Sequence, residues 1–444
     1  MKMKKRILSV ALALALGLSA AGCSKNDDAF ELQIFAGGYG TEMWEYVLEL
    51  FEEDHPDVKI VTYMDSNANN RLAERWRQGN PPDFVFLEGE GLDRDGWLAN
   101  DLLYDCTEWL KTAKVNGSDK LITEVADLGM FNRHTNSQGD EIIYGLPLLK
   151  NSYGVWYDQN WFEKNNLTFP KSYTALMEFG EEVRTKKSDG GAAAATMIYP
   201  ADNAAGYLVQ GFILPALAAY GDSAFTNAII TASDPDVFAD ARFVDVMQRF
   251  MDFVAAGNML NGTLSLDHTQ SQLRWLKHDA ALIPNGLWLR SELQKDAEDD
   301  GSSQAFASLD MRYGASPLCL DDQKPAVVAT TIDCGIPAGS DKIDLAKEFI
   351  TYLYREDVAK MFAKCANTPS AVNVDLSDVD ISDTLKYTQE IMNSDDYLQV
   401  FKTGSWGAVD SEFNKIVNEI VEGKNLSTAL DYCKRLQKVA QDQL

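Results

Sequence analysis

Tyr39, Asp65 and Glu88 each follow one of the first three apolar runs of the chain, and Trp288 follows the dipeptide Asn285-Gly286. A carboxylate accepts hydrogen bonds from two hydroxyls, and an aromatic ring offers a flat face to C–H groups. Gly89 and Gly91 allow a ligand to come close to the backbone around Glu88. Trp288, placed directly after a tight turn, is directed into a cleft rather than a core. Tyr199, Asp202 and Tyr207 flank Pro200 and are candidates for an opposing wall. The competing readings are loop solvation or helix capping for the acids and core packing for the rings. Sets for covalent or metal chemistry are incomplete. Gly221-Asp222-Ser223 lacks both the following Leu and a later D-x-x-H partner, and there is no G-x-S-x-G. Asp93-Arg94-Asp95-Gly96 has Gly91 where a calcium loop needs its first acid and Leu102 where it needs Glu. His55, His134, His268 and His278 stand at no zinc-like interval from one another or from the cysteines, and no metal site or cofactor is expected.

These residues need a sheet to hold them. Leu32–Phe35 predicts a strand, and Trp44, Val47, Leu48 and Phe51 recur at helical spacing behind Thr41 as cap. Val58–Tyr63, a helix near Arg71–Gln78 and the strand Phe84–Leu87 follow. Strands alternating with helices imply a largely parallel sheet with its site at the carboxyl ends of the strands. Tyr144–Pro147 reads as a crossover, Tyr153–Tyr157 as a strand, and residues 172–290 as helix-rich around the strand Ala280–Pro284. Ala326–Ile332 is a further strand, Asp344 caps a helix to Tyr354, and Ser427 caps a terminal one. The fold class is therefore α/β, in two lobes. The chain leaves its first sheet near residue 147 and returns near residue 326, so the lobes are discontinuous.

The N-terminus carries a separate signal. Lys2, Lys4, Lys5 and Arg6 precede the uncharged apolar run Ile7–Ala21, which is short for a membrane span and suited to a secretory signal. Ser19-Ala20-Ala21-Gly22-Cys23 resembles a bacterial lipoprotein signal, with Ala20 where Leu is usual, and implies acylation of Cys23. Ser24–Asp28 then forms a polar tether. Loss of the four basic residues leaves the rest more acidic still than the formal −27 of the whole chain. Such a surface excludes nucleic acid as a partner, because binding it needs clustered Lys and Arg. Cys106, Cys319, Cys334, Cys365 and Cys433 are widely spaced and read as small apolar residues.

Several segments in order resemble the family of extracellular solute-binding proteins that feed carbohydrate ABC transporters, the maltose-binding-protein-like group. They are Asn80-Pro81-Pro82-Asp83, Tyr144-Gly145-Leu146-Pro147 with Val155–Phe162, and Ala280–Trp288; then Ser340–Tyr354, Asn367-Thr368-Pro369 and Val421–Leu430. The resemblance implies a two-lobe flytrap fold, each lobe with a central mostly parallel sheet flanked by helices. It implies no catalysis, a carbohydrate ligand in the interlobe cleft, stacking roles for Trp288 and Trp406, and a cleft position for Thr368. The implied organisation is a signal peptide at 1–22, a lipidated tether at 23–30, lobe one at 31–147 plus 323–365, and lobe two at 148–322 plus 366–444. The implied setting is the outer face of the membrane of a single-membrane bacterium, with a monomer docking on an ABC permease. A two-lobe receptor for a non-sugar solute and an extracellular hydrolase are the alternatives.

Overall fold

In the computed structural model, residues 28–443 are described apart from Gly38, Thr403, Ser405 and 424–426; Cys23 and its signal lie outside that range. Ten strands are present among the described residues: β1 (Ala29–Phe35), β2 (Lys59–Asp65), β3 (Phe84–Phe86), β4 (Asn132–Thr135), β5 (Glu141–Asp158), β6 (Ala195–Met197), β7 (Ala280–Gly286), β8 (Met311–Gly314), β9 (Ala326–Gly335) and β10 (Leu398–Phe401). Their order is β2-β1-β3-β9-β5-β7-β6, with β4 and β8 on β5 and β10 on β9.

β1 is buried on both faces, as a parallel strand covered by helices must be. Its two polar residues are answered. Glu31 accepts from Arg75 at 2.5 Å and from the Tyr63 hydroxyl at 3.0 Å. Gln33 donates to Asn69 and accepts from the Trp76 indole, both at 2.8 Å. The helix Glu42–Asp54 buries Trp44, Val47, Leu48 and Phe51 as its spacing predicts, and Trp44 packs edge-on against Phe86 and Phe362. Thr41 precedes it but gives the Glu45 carboxylate, not the backbone, its hydroxyl proton.

The outer strands pair in parallel, β1 with β2 and β3, and β6 with β7. The middle differs from the parallel expectation, because β5 and β9 run antiparallel to each other and to their neighbours β7 and β3. β5 spans 18 residues without a break. The expected crossover at Tyr144–Pro147 is thus strand, its backbone held by β4 on one side and β9 on the other. Pro147 has no N–H to give, and the register slips between it and Leu149.

The same two strands serve two cores. Leu146, Leu148 and Leu149 of β5 with Ile332 and Cys334 of β9 pack in a cluster drawn from residues 30–149 and 332–372. Val155 of β5 with Ala326 and Val328 of β9 packs in another, drawn from 155–282, 318–328 and 406–440. Ala366 and Val372 therefore pack with the first group, beyond the residue 365 expected to end it. Between the cores the strands turn polar: Lys150 lies opposite Thr331, and Asn151 opposite Thr330.

Other differences are local. β7 extends through Gly286, Thr428 rather than Ser427 caps the last helix in a box with Asp431, and Asp344 lies in the first turn behind Lys342. The short strands β4, β6, β8 and β10 and the helix Asp383–Asn393 give little pattern in sequence. The five described cysteines are free, with Cys365 half-buried and the others buried. No helix among the described residues is long and apolar enough to cross a membrane.

His278 fastens the entry to β7. In a left-handed conformation, its ring stacks on Trp161 and meets Asp158 and Asp189, each at 2.8 Å. Asp158 also accepts the backbone N–H of Asn160 and Asp310, tying the end of β5 to both. Burial pulls the imidazole pKa down, but the bonds to the two carboxylates outweigh it and raise it above the usual value. A raised folded pKa gives stability that is complete below the unfolded value of about 6.5 and is lost as pH rises through the folded one. In urea titrations, His278→Gln should cost on the order of 2 kcal/mol at acidic pH and progressively less in alkali; a gap independent of pH would exclude a charged His278.

Candidate functional site

Four aromatic rings from distant parts of the chain meet around Trp288. Trp288 is the residue before the helix Leu289–Asp299 and sits at its N-cap. Its ring folds back over Gly286, where any Cβ would stand 2.4 Å from the indole, so a glycine is required there. Tyr153 of β5 packs edge-on against Trp288 at 5.1 Å, Tyr207 at 5.6 Å, and Tyr39 from the first core at 6.5 Å. The Trp288 N–H approaches the Tyr207 hydroxyl without completing a bond of good geometry. Burial raises the hydroxyl pKa of all three tyrosines, so they stay protonated and can donate.

Carboxylates border this group. Glu88 follows β3 in a loop that Asn69 pins by donating to the carbonyls of Glu88 and Glu90. Gly89 has φ +99° and its missing side chain leaves room for the Phe35 ring. Burial lifts the Glu88 pKa to about 7; Arg94, 4.0 Å away, opposes the shift and Asp333 adds to it. Glu292, in the first turn after Trp288, accepts from Gln272 at 2.9 Å and is raised by burial as well. Asn151 is buried in the polar band of β5, and its side-chain oxygen has no hydrogen-bond partner among the described residues. Strand alternation places it on the same face as Tyr153.

Two cavities are present, and of the four rings Tyr39 lines one of them. One, of about 830 Å³, is lined by Gly37, Tyr39 and Ser66 on one side and His268, Ser291 and Glu292 on the other. The second, of about 880 Å³, has Arg94, Asn132 and Tyr144 against Thr231 and Lys402, with Thr330 and Thr331 of β9 between. Each draws walls from segments far apart in the chain. The arrangement can hold a ligand with flat apolar faces and a belt of hydroxyls.

Of the residues singled out in the sequence, the structure brings together Tyr39, Glu88, Tyr207 and Trp288. The others are engaged elsewhere. Trp406 lies in the second core, edge-on to Phe238 at 4.6 Å, with its N–H on the Ile229 carbonyl. Tyr199 is fully buried and donates to Asn418 at 2.7 Å. Thr368 is buried with its hydroxyl on the Ala366 carbonyl. Asp65 pairs with Arg71 at 2.5 Å and accepts the Asn67 N–H, starting the helix Ala68–Arg77. Asp202 is exposed and lines neither cavity. Tyr153, Asn151 and Arg94 have no such assignment in the sequence reading. The first two sit inside β5, where an apolar run turns polar at Lys150-Asn151-Ser152.

The chain is similar to known proteins along most of its length. It is 24% identical over 357 residues to the diacetylchitobiose binding protein NgcE of Streptomyces coelicolor, covering 77% of this chain and 69% of that protein. It is 20% identical over 333 residues to the multiple sugar-binding protein of Streptococcus mutans, covering 73% and 71%. Among solved structures, RafE from Streptococcus pneumoniae superposes with a TM-score of 0.68 at 15% identity, covering 95% of this chain and 99% of that one. A chitin oligosaccharide binding protein gives 0.66 at 18% identity, covering 93% and 98%. These neighbours share the two-lobe fold. Residues 37–360 match the family model of bacterial extracellular solute-binding proteins, and the chain belongs to that family.

Proposed function

We propose that this protein is an extracellular receptor that captures a carbohydrate, most simply an oligosaccharide, between its lobes and delivers it to an ABC permease. The observation that carries the reading is the ring cluster around Trp288, drawn from distant parts of the chain and bordered by Glu88 and Glu292, with Asn151 on the same face of β5 as Tyr153. Rings stack on the C–H faces of a sugar, while the carboxylates and the amide take up its hydroxyls. The sugars named for the related proteins, diacetylchitobiose and multiple sugars, agree with that chemistry.

The proposed lobes are built on the 31–147 plus 323–365 and the 148–322 plus 366–444 segments, with Ala366 and Val372 packed on the first, and they turn about the polar band of β5 and β9. Closure over the ligand excludes water and presents a docking surface to the permease. An acylated Cys23 keeps a monomeric receptor at the outer face of the membrane, with the segment after it as tether. No catalytic step enters the cycle.

Titration of tryptophan fluorescence against a glycan panel should give saturable quenching by an oligosaccharide. Trp288→Ala should weaken it at least ~10-fold, about 1.4 kcal/mol or more. Trp406→Ala should instead lower thermal stability and leave the sugar preference unchanged. A response to peptides or metal ions, with none to any sugar, would remove the carbohydrate reading. Asn151 gives a second test. An unpaired buried amide oxygen costs about 1–3 kcal/mol, so Asn151→Leu should raise the free protein's melting temperature while weakening the sugar; if it lowers both, Asn151 is a structural residue.

A further inference from the structure

Glu292 stands one helical turn after Trp288, with its backbone N–H on the Trp288 carbonyl at 3.1 Å. It lines the cavity that Tyr39 lines. Burial raises the hydroxyl pKa of Tyr39, Tyr153 and Tyr207, and the Glu292 charge raises each further, so the carboxylate lies within reach of three of the four rings. A single neutral side chain holds it there. Gln272, on the helix His268–Leu276, donates its amide N–H to one Glu292 oxygen at 2.9 Å. Among the described residues no ion pair reaches Glu292, and Gln272 is its side chain's one hydrogen-bond donor.

The fold itself gains little from this pair. Gln272 is fully buried, and its amide oxygen has no partner. An unpaired buried acceptor destabilises by about as much as a hydrogen bond to a charged group stabilises. The helices His268–Leu276 and Leu289–Asp299 already share an apolar cluster through Trp275, Leu276, Leu289 and Leu293. A leucine at 272 would add to that cluster and leave no orphaned oxygen. Gln272 does not line the cavity, so it has no direct contact to offer a bound molecule.

Resting on the receptor reading above, we propose that Gln272 is a positioning residue for sugar capture, which holds one oxygen of Glu292 so that the other meets the hydroxyls of the sugar. A carboxylate fixed before binding needs no ordering when the sugar arrives, and the entropy of that ordering is saved. An ionised carboxylate accepts from two hydroxyls, whereas a protonated one has lost part of that capacity. Burial pushes the Glu292 carboxyl up; the Gln272 bond and the charge of His268 oppose the shift, and Asp296 adds to it. Gln272 thus also favours the form that accepts.

The test is calorimetry with diacetylchitobiose, maltotriose and raffinose, from mildly acidic to mildly alkaline pH. Gln272→Leu should weaken the tightest of these sugars at least ~10-fold and leave the melting temperature of the free protein nearly unchanged. Gln272→Glu keeps the shape but sets two carboxyls side by side, and such a pair retains one proton to higher pH. Its affinity relative to wild type should be low in alkali and recover as the pH falls and the shared proton restores the bond. The ratio at each pH cancels titrations common to both proteins, those of Glu88 and His268 among them. A ratio that is flat with pH, or full affinity in Gln272→Leu, would overturn the positioning role and leave the receptor standing. So would a loss of affinity that only follows a fall in melting temperature in both variants. Binding of none of these sugars by the wild type would overturn the receptor reading itself, and with it this one.

Discussion

The structure depends on the antiparallel pairing of β5 and β9. Leu146 faces Cys334 at one end and Ser152 faces Ala329 at the other, so the same two strands enter both cores. Their ends are apolar because each is buried under a different set of helices. Their middle is Lys150, Asn151 and Ser152 against Thr330 and Thr331, which breaks the hydrophobic continuity at one level of the sheet. A single core over more than 400 residues is unfavourable, since cores stop growing at roughly 250–300 residues. Two cores joined by hydrogen-bonded strands keep the backbone satisfied across the gap, where a loop would leave polar groups to be buried without partners.

In the proposed reading, a ligand sits at that gap. The carboxyl ends of β1 and β3 deliver Tyr39 and Glu88, and the end of β7 delivers Trp288 and Glu292, with the indole packing on the first core beside Tyr39. Gly286 lets the indole fold back over the strand that carries it, and Tyr153 fixes its edge from β5. The polar groups here are concentrated and incompletely paired, whereas Glu31 and Gln33 in β1, equally buried, are fully answered.

The sequence exposes what is local. The helix Glu42–Asp54 is legible because its apolar spacing and its neighbours agree, and Tyr39, Glu88 and Trp288 follow from the rule that α/β sites lie at strand ends. Asp65 was legible for a different role: the Asn67 N–H two residues on is a turn partner for such an aspartate. Trp406 and Tyr199 could not be placed from sequence, since their partners Ile229 and Asn418 lie 177 and 219 residues away. A Trp in a Gly-rich loop and a Tyr beside a Pro look the same whether they face solvent or a core. Asn151 and Tyr153 were obscured because Gly145 and Pro147 suggest a turn; only the pairing of both β5 edges shows a continuous strand.

In the proposed role, the positions of the contacts divide affinity from closure. A ligand shifts an equilibrium between open and closed forms only through contacts that differ between them. Asn151 and Tyr153 belong to the strand that joins the halves, so bonds to them add affinity in either form. Tyr39 and Glu88 follow β1 and β3 while Trp288 and Glu292 follow β7, so a ligand that touches both sets bridges segments far apart in the chain. The edge contacts of Trp288 with Tyr39 and Tyr153 are worth about 0.5–1.5 kcal/mol each. This is small beside the roughly 8 kcal/mol of a micromolar complex. In the proposed role a ligand therefore separates these rings and takes their place against the indole, exchanging a weak contact for a stronger one through itself.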